Sequence, residues 1–327
     1  MPSLASYQGI PLLLPEADVL RTLEQQLGRI IPHKPTFFND VAFSAVDNHV
    51  IALGLYNQGL KTLLETSGNL KYLQQLKLEQ NRLTDLPASV GHLTQLKSLH
   101  LGQNQLKTLP ETFGQLKQLV HLELQRNELT TLPKSFGNLI NLRILLLSEN
   151  QLKSLPESFG NLTSLEKLYL YDNQLKSLPE SFGNLTKLQT LDLGRNLLSS
   201  LPGSLLCLTP LRALNLAINQ LTTLPESFDR LMNLASLGLE ENQLRSLPES
   251  FSKLKKLVWL NLRSNKLRIL PESFGNLTTL KELYLYDNQL RSLPESFGNL
   301  TNLKGLYLDR RLASLSVVKK LKNSAIE

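Results

Sequence analysis

Leucines recur along most of this 327-residue chain with a period of 23 residues. Most copies follow the skeleton L-x-x-L-x-L-x-x-N-x-L-x-x-L-P-x-x-F-G-x-L-x-x, and residues 165–187 and 280–302 are identical at 19 of 23 positions. A fixed period of this length indicates a stacked repeat in which each copy builds one supersecondary unit. Ten full copies begin at Leu73, Leu96, Leu119, Leu142, Leu165, Leu188, Leu211, Leu234, Leu257 and Leu280.

The skeleton predicts one short strand and one return loop in each copy. Leucine alternates with variable residues in the L-x-L segment, as at Leu168 and Leu170, which is the period of a strand with one buried face. Strands that all run the same way predict a curved parallel sheet. In the L-P-x-x-F-G-x-L segment, proline fixes one backbone angle, glycine permits a tight turn, and phenylalanine and leucine fill the interior.

The ninth residue of every full copy is asparagine. Backbone N–H and C=O groups lose their sheet partners where the chain leaves the strand, and a short side chain with both a donor and an acceptor can pair with them. We therefore predict a structural ladder of asparagines at Asn81, Asn104, Asn127, Asn150, Asn173, Asn196, Asn219, Asn242, Asn265 and Asn288.

These motifs resemble the leucine-rich repeat family over about residues 50 to 311. More narrowly, the chain is similar to the 23-residue, cysteine-free, intracellular type that occurs in Ras-group and Roco-like proteins and in prokaryotic arrays. The resemblance implies an α/β fold, a right-handed solenoid shaped as a horseshoe, with a concave parallel β-sheet and short helical or 3₁₀ turns on the convex side. It also implies that the concave face binds other proteins.

The pattern predicts three parts in one elongated domain. Residues 1–72 form an N-terminal cap that includes a degenerate repeat from residue 50, residues 73–302 hold the ten repeats, and residues 303–327 hold an incomplete repeat and a C-terminal cap. Caps are required because an open end of the stack would expose core leucines. Beyond Arg311, which stands where asparagine is expected, the apolar spacing predicts one short amphipathic helix with Leu312, Leu315, Val318 and Leu321 on one face; a partner-binding or membrane-surface tail is the alternative.

Within the N-terminal cap, residues 1–14 are expected to be loosely packed. A helix is expected from Pro15, since proline suits a first helical turn, and Pro32 and Pro35 are expected to end it. Two strands joined by an Asp-Asn-His turn are predicted over residues 41–46 and 50–55.

Composition narrows the class of protein. Cys207 is the only cysteine, and no apolar run is long enough for a signal peptide or a membrane span, so a cytoplasmic location is expected. The net charge is +7, but the repeats alternate in sign and lack the continuous basic track of a nucleic-acid groove. At Leu205-Leu206 the usual Phe-Gly pair is replaced, which local repacking or a weak self-association patch would explain.

The third, fifth and seventh residues of each repeat point to the predicted concave face. Tyrosine, tryptophan and arginine, the residue types that dominate interface energetics, cluster near the C-terminal end of that face. The predicted partner-binding residues are Trp259, Asn261, Arg263, Tyr284, Tyr286 and Tyr307. A secondary patch is predicted at Ile144, Leu146, Tyr169 and Tyr171. Duplication of the Tyr-Leu-Tyr-Asp segment is a competing explanation for the tyrosines.

Two histidines and a glutamate also meet on this face. His100 and Glu123 hold the same position in adjacent strands, beside His121. Such a set can bind a metal with open coordination positions, but a hydrated polar patch is the favoured interpretation, so no metal or cofactor is predicted. No nucleophile–base pair, phosphate loop or pair of catalytic acids is recognised, and an enzyme is not expected.

The sequence therefore predicts a non-enzymatic protein-interaction module or scaffold whose concave face holds a protein partner. One alternative is a regulatory or targeting fragment of a larger signalling protein, although the GTPase motif G-x-x-x-x-G-K-[ST] does not occur in this chain. The others are metal-dependent activity at the two-histidine patch and a chiefly structural array.

Overall fold

The computed structural model describes residues 3–36 and 40–321 and the backbone of residues 325–326. The chain divides into two compact units, residues 1–165 and 166–327. In both units each full repeat contributes one three-residue strand and one short 3₁₀ helix.

The first unit begins with an antiparallel hairpin of β1 (Leu4–Tyr7) and β2 (Ile10–Leu13). The prediction of a loosely packed segment is therefore wrong for the described residues up to 14. Gln8 and Gly9 have φ angles of 51° and 81°, the positive values of a two-residue turn that matches the twist of antiparallel strands. Tyr7 and Leu12 are buried, so the hairpin contributes to the core.

Helix α1 (Leu14–Leu27) follows the hairpin directly, with Pro15 at its start as predicted. Its buried face is formed by Val19, Leu20 and Leu23. The helix ends at Gly28, whose φ of 65° is left-handed, rather than at Pro32 as the sequence predicts. Glycine adopts this conformation without strain, and it ends the helix before the first proline is reached.

The predicted antiparallel strands are confirmed as β3 (Val41–Val46) and β4 (His49–Leu55). Glu16 of α1, which is only 1% exposed, accepts a 2.6 Å hydrogen bond from the Val50 N–H and lies 3.0 Å from His49 Nδ1. This buried carboxylate therefore ties the helix to the sheet.

Strands β5 to β8 continue this sheet in parallel, and β4 pairs with β5. They are Gln75–Lys77, Ser98–His100, His121–Glu123 and Ile144–Leu146. Equal repeat positions lie side by side in this register. Each central leucine is buried, while the third and fifth residues of the repeat lie on the other side, here called the strand face. On the loop side, Phe113, Phe136 and Phe159 stack with ring centroids 6.2 Å apart.

The predicted asparagine ladder is confirmed. Asn104 Nδ2 donates to Leu78 O at 2.9 Å and to Leu101 O at 3.0 Å, and Oδ1 accepts from Leu83 N at 3.0 Å. Asn127 makes the same three contacts one repeat later. Each asparagine thus satisfies three backbone groups of the coils around it, as the loss of sheet partners requires.

The second unit follows the same plan with strands β9 to β15, each paired in parallel with the next. They are Lys167–Tyr169, Thr190–Asp192, Ala213–Asn215, Ser236–Gly238, Trp259–Asn261, Glu282–Tyr284 and Gly305–Tyr307. Its ladder asparagines bind the backbone in the same way, as at Asn219.

The repeated glycine is needed for close packing rather than for the predicted tight turn. Gly183 does not have a positive φ, but a Cβ added there would lie 2.5 Å from Ser204 O of the next coil. Where Leu206 or Ser252 replaces this glycine, the next 3₁₀ helix is shortened to three residues. Asp229 also replaces the glycine, but it lies within one of the shortened helices and is followed by a helix of full length. Leu206 is itself buried and so offers no exposed self-association patch.

The described C-terminal residues form two short helices, α2 (Arg310–Ala313) and α3 (Ser316–Lys319), and the backbone of β16 (Ala325–Ile326) pairs with β15. The prediction of one helix is wrong, because α2 ends before Ser314 and a new helix begins two residues later. Arg311 Nη2 donates to Asn288 O at 2.7 Å, so this arginine still serves a backbone group at the ladder. None of the described helices is long and apolar enough to cross a membrane.

Candidate functional site

Three of the predicted partner-binding residues form one aromatic row on the strand face of the second unit. The register places Asn261, Tyr284 and Tyr307 side by side, and Trp259 lies two residues before Asn261. The Trp259 and Tyr284 rings are 6.1 Å apart at 55°, and the Tyr284 and Tyr307 rings stack at 4.3 Å and 1°. All three side chains are half-buried, so each ring keeps an accessible part. We call Trp259, Tyr284 and Tyr307 the aromatic row.

Arg263 and Tyr286 form a second contact beside the row. Arg263 Nη1 donates to Tyr286 Oη at 3.2 Å, the guanidinium lies 5.7 Å from the ring centroid, and Nη2 pairs with the Glu241 carboxylate. These partners hold the long arginine side chain in one position. Asn261 Oδ1 accepts from Arg263 N at 3.1 Å, so this predicted contact residue also stabilises its own turn.

A hollow of about 300 Å³ opens on the strand face next to Trp259. Its lining includes Tyr169, Asp192, Asn215, Ser236, Glu240 and Trp259. The sequence prediction missed the polar members of this set. Two glycines provided a signal, because a Cβ at Gly194 or Gly238 would lie 2.8 Å from the Asn215 amide. Glycines at the fifth and seventh repeat positions beside acidic residues therefore indicate a depression in the surface.

Burial raises the pKa of both carboxyl groups in this hollow. For Asp192 the effect is opposed by the Gly194 N–H, which donates to Oδ1 at 3.0 Å. For Glu240 burial is again the largest cause of the raised pKa, and the positive charge of Arg263 opposes it. Glu240 Oε2 has no hydrogen-bond partner among the residues that the structure describes. The hollow thus combines two aromatic walls with acceptor oxygens that a positively charged group would satisfy.

The secondary patch is divided between the two units. Ile144 and Leu146 lie on β8 of the first unit, where both are half-buried. Tyr169 lies on β9 of the second unit and lines the hollow, and Tyr171 follows that strand. The grouping of these four side chains into one surface stays a prediction.

The two-histidine patch is assembled on the strand face of the first unit. Glu123 Oε1 lies 3.2 Å from His100 Nδ1 and 3.1 Å from His121 Nε2. Glu79 Oε1 lies 3.5 Å from the same His100 nitrogen. The interaction of Glu123 with His100, followed by the close approach of His121, holds the pKa of Glu123 well below its usual range. Burial raises the pKa of Glu79. Two carboxylates with opposite pKa shifts therefore flank the histidines.

The comparisons with known proteins agree with this architecture. The model of the leucine-rich repeat region matches residues 91–174, 132–215 and 203–325. A leucine-rich repeat protein of Leptospira interrogans is 33% identical with a TM-score of 0.61, and the match covers 84% of this chain and 82% of that one. YopM, a leucine-rich effector protein from Yersinia pestis, is 30% identical with a TM-score of 0.61, and the match covers 79% of this chain and 71% of that one.

A plant peptide hormone receptor, RGFR1, solved in complex with RGF2, is 30% identical with a TM-score of 0.64. The match covers 79% of this chain but 48% of the receptor chain, so this chain spans about half of that receptor. No curated protein sequence matches this chain significantly. The repeated strands, the asparagine ladder and these matches together show that the chain belongs to the leucine-rich repeat family.

Proposed function

We propose that this protein binds a protein partner on the strand face of its second unit and that it is an interaction module without catalytic activity. Proteins of this family and fold are typically interaction modules. A receptor of the same fold solved in complex with RGF2 supports a polypeptide as the class of ligand. The site itself carries the proposal beyond that general statement.

The observation that carries the proposal is the aromatic row. Trp259, Tyr284 and Tyr307 stand on three adjacent strands, and the ring of Tyr284 contacts the rings of the other two. Exposed strand positions of an ordinary sheet are usually polar, whereas tryptophan and tyrosine give interfaces a large contact area with few rotatable bonds to immobilise. Because the rings already support each other, little side-chain entropy is lost when a partner covers them.

The hollow beside Trp259 indicates the chemistry of the partner. Asp192 and Glu240 supply the carboxylates, and Trp259 and Tyr169 supply the aromatic walls. A lysine or arginine side chain fits such a site, because its stem packs on the rings and its charge meets the carboxylates. We infer that the partner places one basic residue in the hollow while an adjacent apolar segment covers the aromatic row.

Affinity capture with matched variants tests the proposal. The purified protein and a Trp259→Ala/Tyr284→Ala/Tyr307→Ala variant are each used to capture proteins from a lysate of the source organism. Tyr72→Ala is the control, because Tyr72 is an aromatic residue of the first unit that is 48% exposed. Circular dichroism first establishes that all three proteins are folded.

We expect a protein that the wild type and Tyr72→Ala retain and the triple variant loses. Its binding should also weaken in Asp192→Asn/Glu240→Gln, which removes the negative charge of the hollow and keeps its shape. A partner retained equally by the triple variant would contradict the assignment of the site. If the partner is lost from the triple variant but binds Asp192→Asn/Glu240→Gln as tightly as the wild type, only the inference of a basic residue in the hollow is refuted.

A further inference from the structure

We propose that His100, His121 and Glu123 form a binding site for a transition-metal ion, with Zn²⁺ as the ion that fits best, on the strand face of the first unit. This site differs in chemistry from the aromatic row, and its assignment does not depend on the proposed function. Neutral imidazole and carboxylate are the usual zinc ligands besides cysteine thiolate.

Two of the three distances between the ligand atoms match those of a zinc site. One atom from each of the three residues lies within 4.8 Å of the other two. Glu123 Oε1 is 3.2 Å from His100 Nδ1 and 3.1 Å from His121 Nε2. In a tetrahedral site with bonds of 2.0–2.1 Å, neighbouring ligand atoms are about 3.3 Å apart. An ion can therefore be placed between these atoms with only small side-chain movements.

The nitrogen of His121 that points into the cluster lacks a good partner. His121 Nε2 is buried and has no hydrogen-bond partner within the described chain, although Glu123 Oε1 lies only 3.1 Å away. The two atoms are close but are not aligned for a hydrogen bond, and a buried nitrogen without a hydrogen bond destabilises the fold. A metal ion bound by both atoms would satisfy the nitrogen, since its lone pair would become a ligand.

Two further side chains already orient the ligands. Ser98 Oγ lies 2.7 Å from His100 Nε2, so it can accept the proton of that nitrogen and leave the Nδ1 lone pair facing Glu123. Gln125 Nε2 donates to Glu123 Oε2 at 3.4 Å, which leaves Oε1 for the ion. Hydrogen bonds of this kind to the second atom of each ligand are a regular feature of metal sites.

Charge and access also favour a divalent cation. Glu79 adds a second carboxylate, with Oε1 3.5 Å from His100 Nδ1, and its Oε2 is buried and unpartnered among the described residues. The His121 side chain is 33% exposed, so an ion has a path to the site and keeps at least one position for water or a partner group.

The test measures zinc and cobalt binding to tag-free protein. Zn²⁺ affinity is determined by competition with a chromophoric chelator, and the visible spectrum of the Co²⁺ form reports the coordination number. The variants are His121→Gln and Glu123→Gln, with His92→Gln as the matched control because His92 is an exposed histidine of the same unit. His121 is the most exposed ligand, so its variant is the one least expected to disturb folding, and circular dichroism checks each protein.

We expect one Zn²⁺ per chain, an intense four- or five-coordinate Co²⁺ spectrum, and affinity weakened at least about tenfold in His121→Gln and Glu123→Gln but unchanged in His92→Gln. The proposal would be overturned by a six-coordinate Co²⁺ spectrum of the wild type, or by equal zinc affinity in all four proteins. The wild-type spectrum decides the question even where a variant does not fold.

Discussion

The close contact between successive coils gives the sharpest test of the packing argument. Gly183 and Gly298 occupy the same position in the identical segments LPESFGNLT at residues 178–186 and 293–301. A Cβ at Gly183 would lie 2.5 Å from Ser204 O, whereas a Cβ at Gly298 would have its nearest neighbour, Val317 Cγ2, at 3.5 Å. The substitution of each glycine by alanine therefore tests the packing in a constant local sequence.

The expected effects have opposite signs. A methyl group at Gly183 would lie 0.9 Å closer to Ser204 O than the 3.4 Å at which ordinary van der Waals contact begins. Overpacking of this kind costs about 1–3 kcal/mol. Loss of glycine flexibility in the unfolded chain offsets about 0.4–1 kcal/mol of that cost. We expect Gly183→Ala to destabilise the protein by about 1–2 kcal/mol. At Gly298 only the favourable term applies, so Gly298→Ala should stabilise it by about 0.4–1 kcal/mol.

Denaturant unfolding followed by circular dichroism measures both variants. Repeat proteins can lose all-or-none behaviour, so the comparison uses the midpoint and checks that the slope is unchanged. A crystal structure of Gly183→Ala should show the next 3₁₀ helix shortened, as it is after Leu206. Midpoints that move in the same direction for both variants would refute the reasoning.

Three further predictions concern the backbone, the asparagine ladder and one buried acid. Ile218 is a β-branched residue with a φ of 55°, a conformation that costs L-residues roughly 1–2 kcal/mol. Ile218→Asn should therefore raise the free energy of unfolding by about 1 kcal/mol, and Arg195→Asn, at the same repeat position, should raise it by less. A loss of stability in Ile218→Asn would contradict this reasoning. Asn127→Ala leaves three buried backbone groups unpaired and should lower the free energy of unfolding by about 3 kcal/mol or more. The exposed control Asn141→Ala should lower it by about 1 kcal/mol or less. Equal losses in the same unfolding assay would argue against the stabilising role of the ladder. Burial raises the pKa of Glu240 above its ordinary value of 4.5, so the ionised form destabilises the fold as pH rises above that value. Glu240→Gln should therefore stabilise the protein at pH 7 and have little effect well below pH 4.5. An equal gain in stability at both pH values would rule out ionisation as the cause.

The repeated elements could be predicted because each copy presents the same physical problem. The alternation around Leu168 and Leu170 indicates a strand, and Asn104 is the side chain that such a strand end needs. Ten copies in one register remove the ambiguity that a single short apolar run would leave. Tyr284 and Tyr307 could be placed side by side because equal repeat positions pair in parallel strands. Trp259 holds a different repeat position and joins the row through its ring contact with Tyr284.

The other features depend on contacts that the repeat pattern does not encode. The turn at Gln8 and Gly9 uses a positive φ at a residue that rarely signals it, so the N-terminal hairpin was missed. The hollow beside Trp259 arises from the absence of side chains at Gly194 and Gly238, which a search for chemically active residues overlooks. The role of Gly183 is set by Ser204 in the next coil, a contact between residues far apart in sequence.

The central claim is that the aromatic row binds the partner, and the affinity of a single variant tests it most directly. Tyr284 lies between Trp259 and Tyr307 and contacts both rings, so it should be the centre of the interface. With the captured partner, isothermal titration calorimetry compares the wild type, Tyr284→Ala and Tyr72→Ala. We expect Tyr284→Ala to weaken binding by about 30-fold or more, the effect of a hot spot of about 2 kcal/mol or more, while Tyr72→Ala binds as the wild type does. Equal dissociation constants for all three proteins would contradict it.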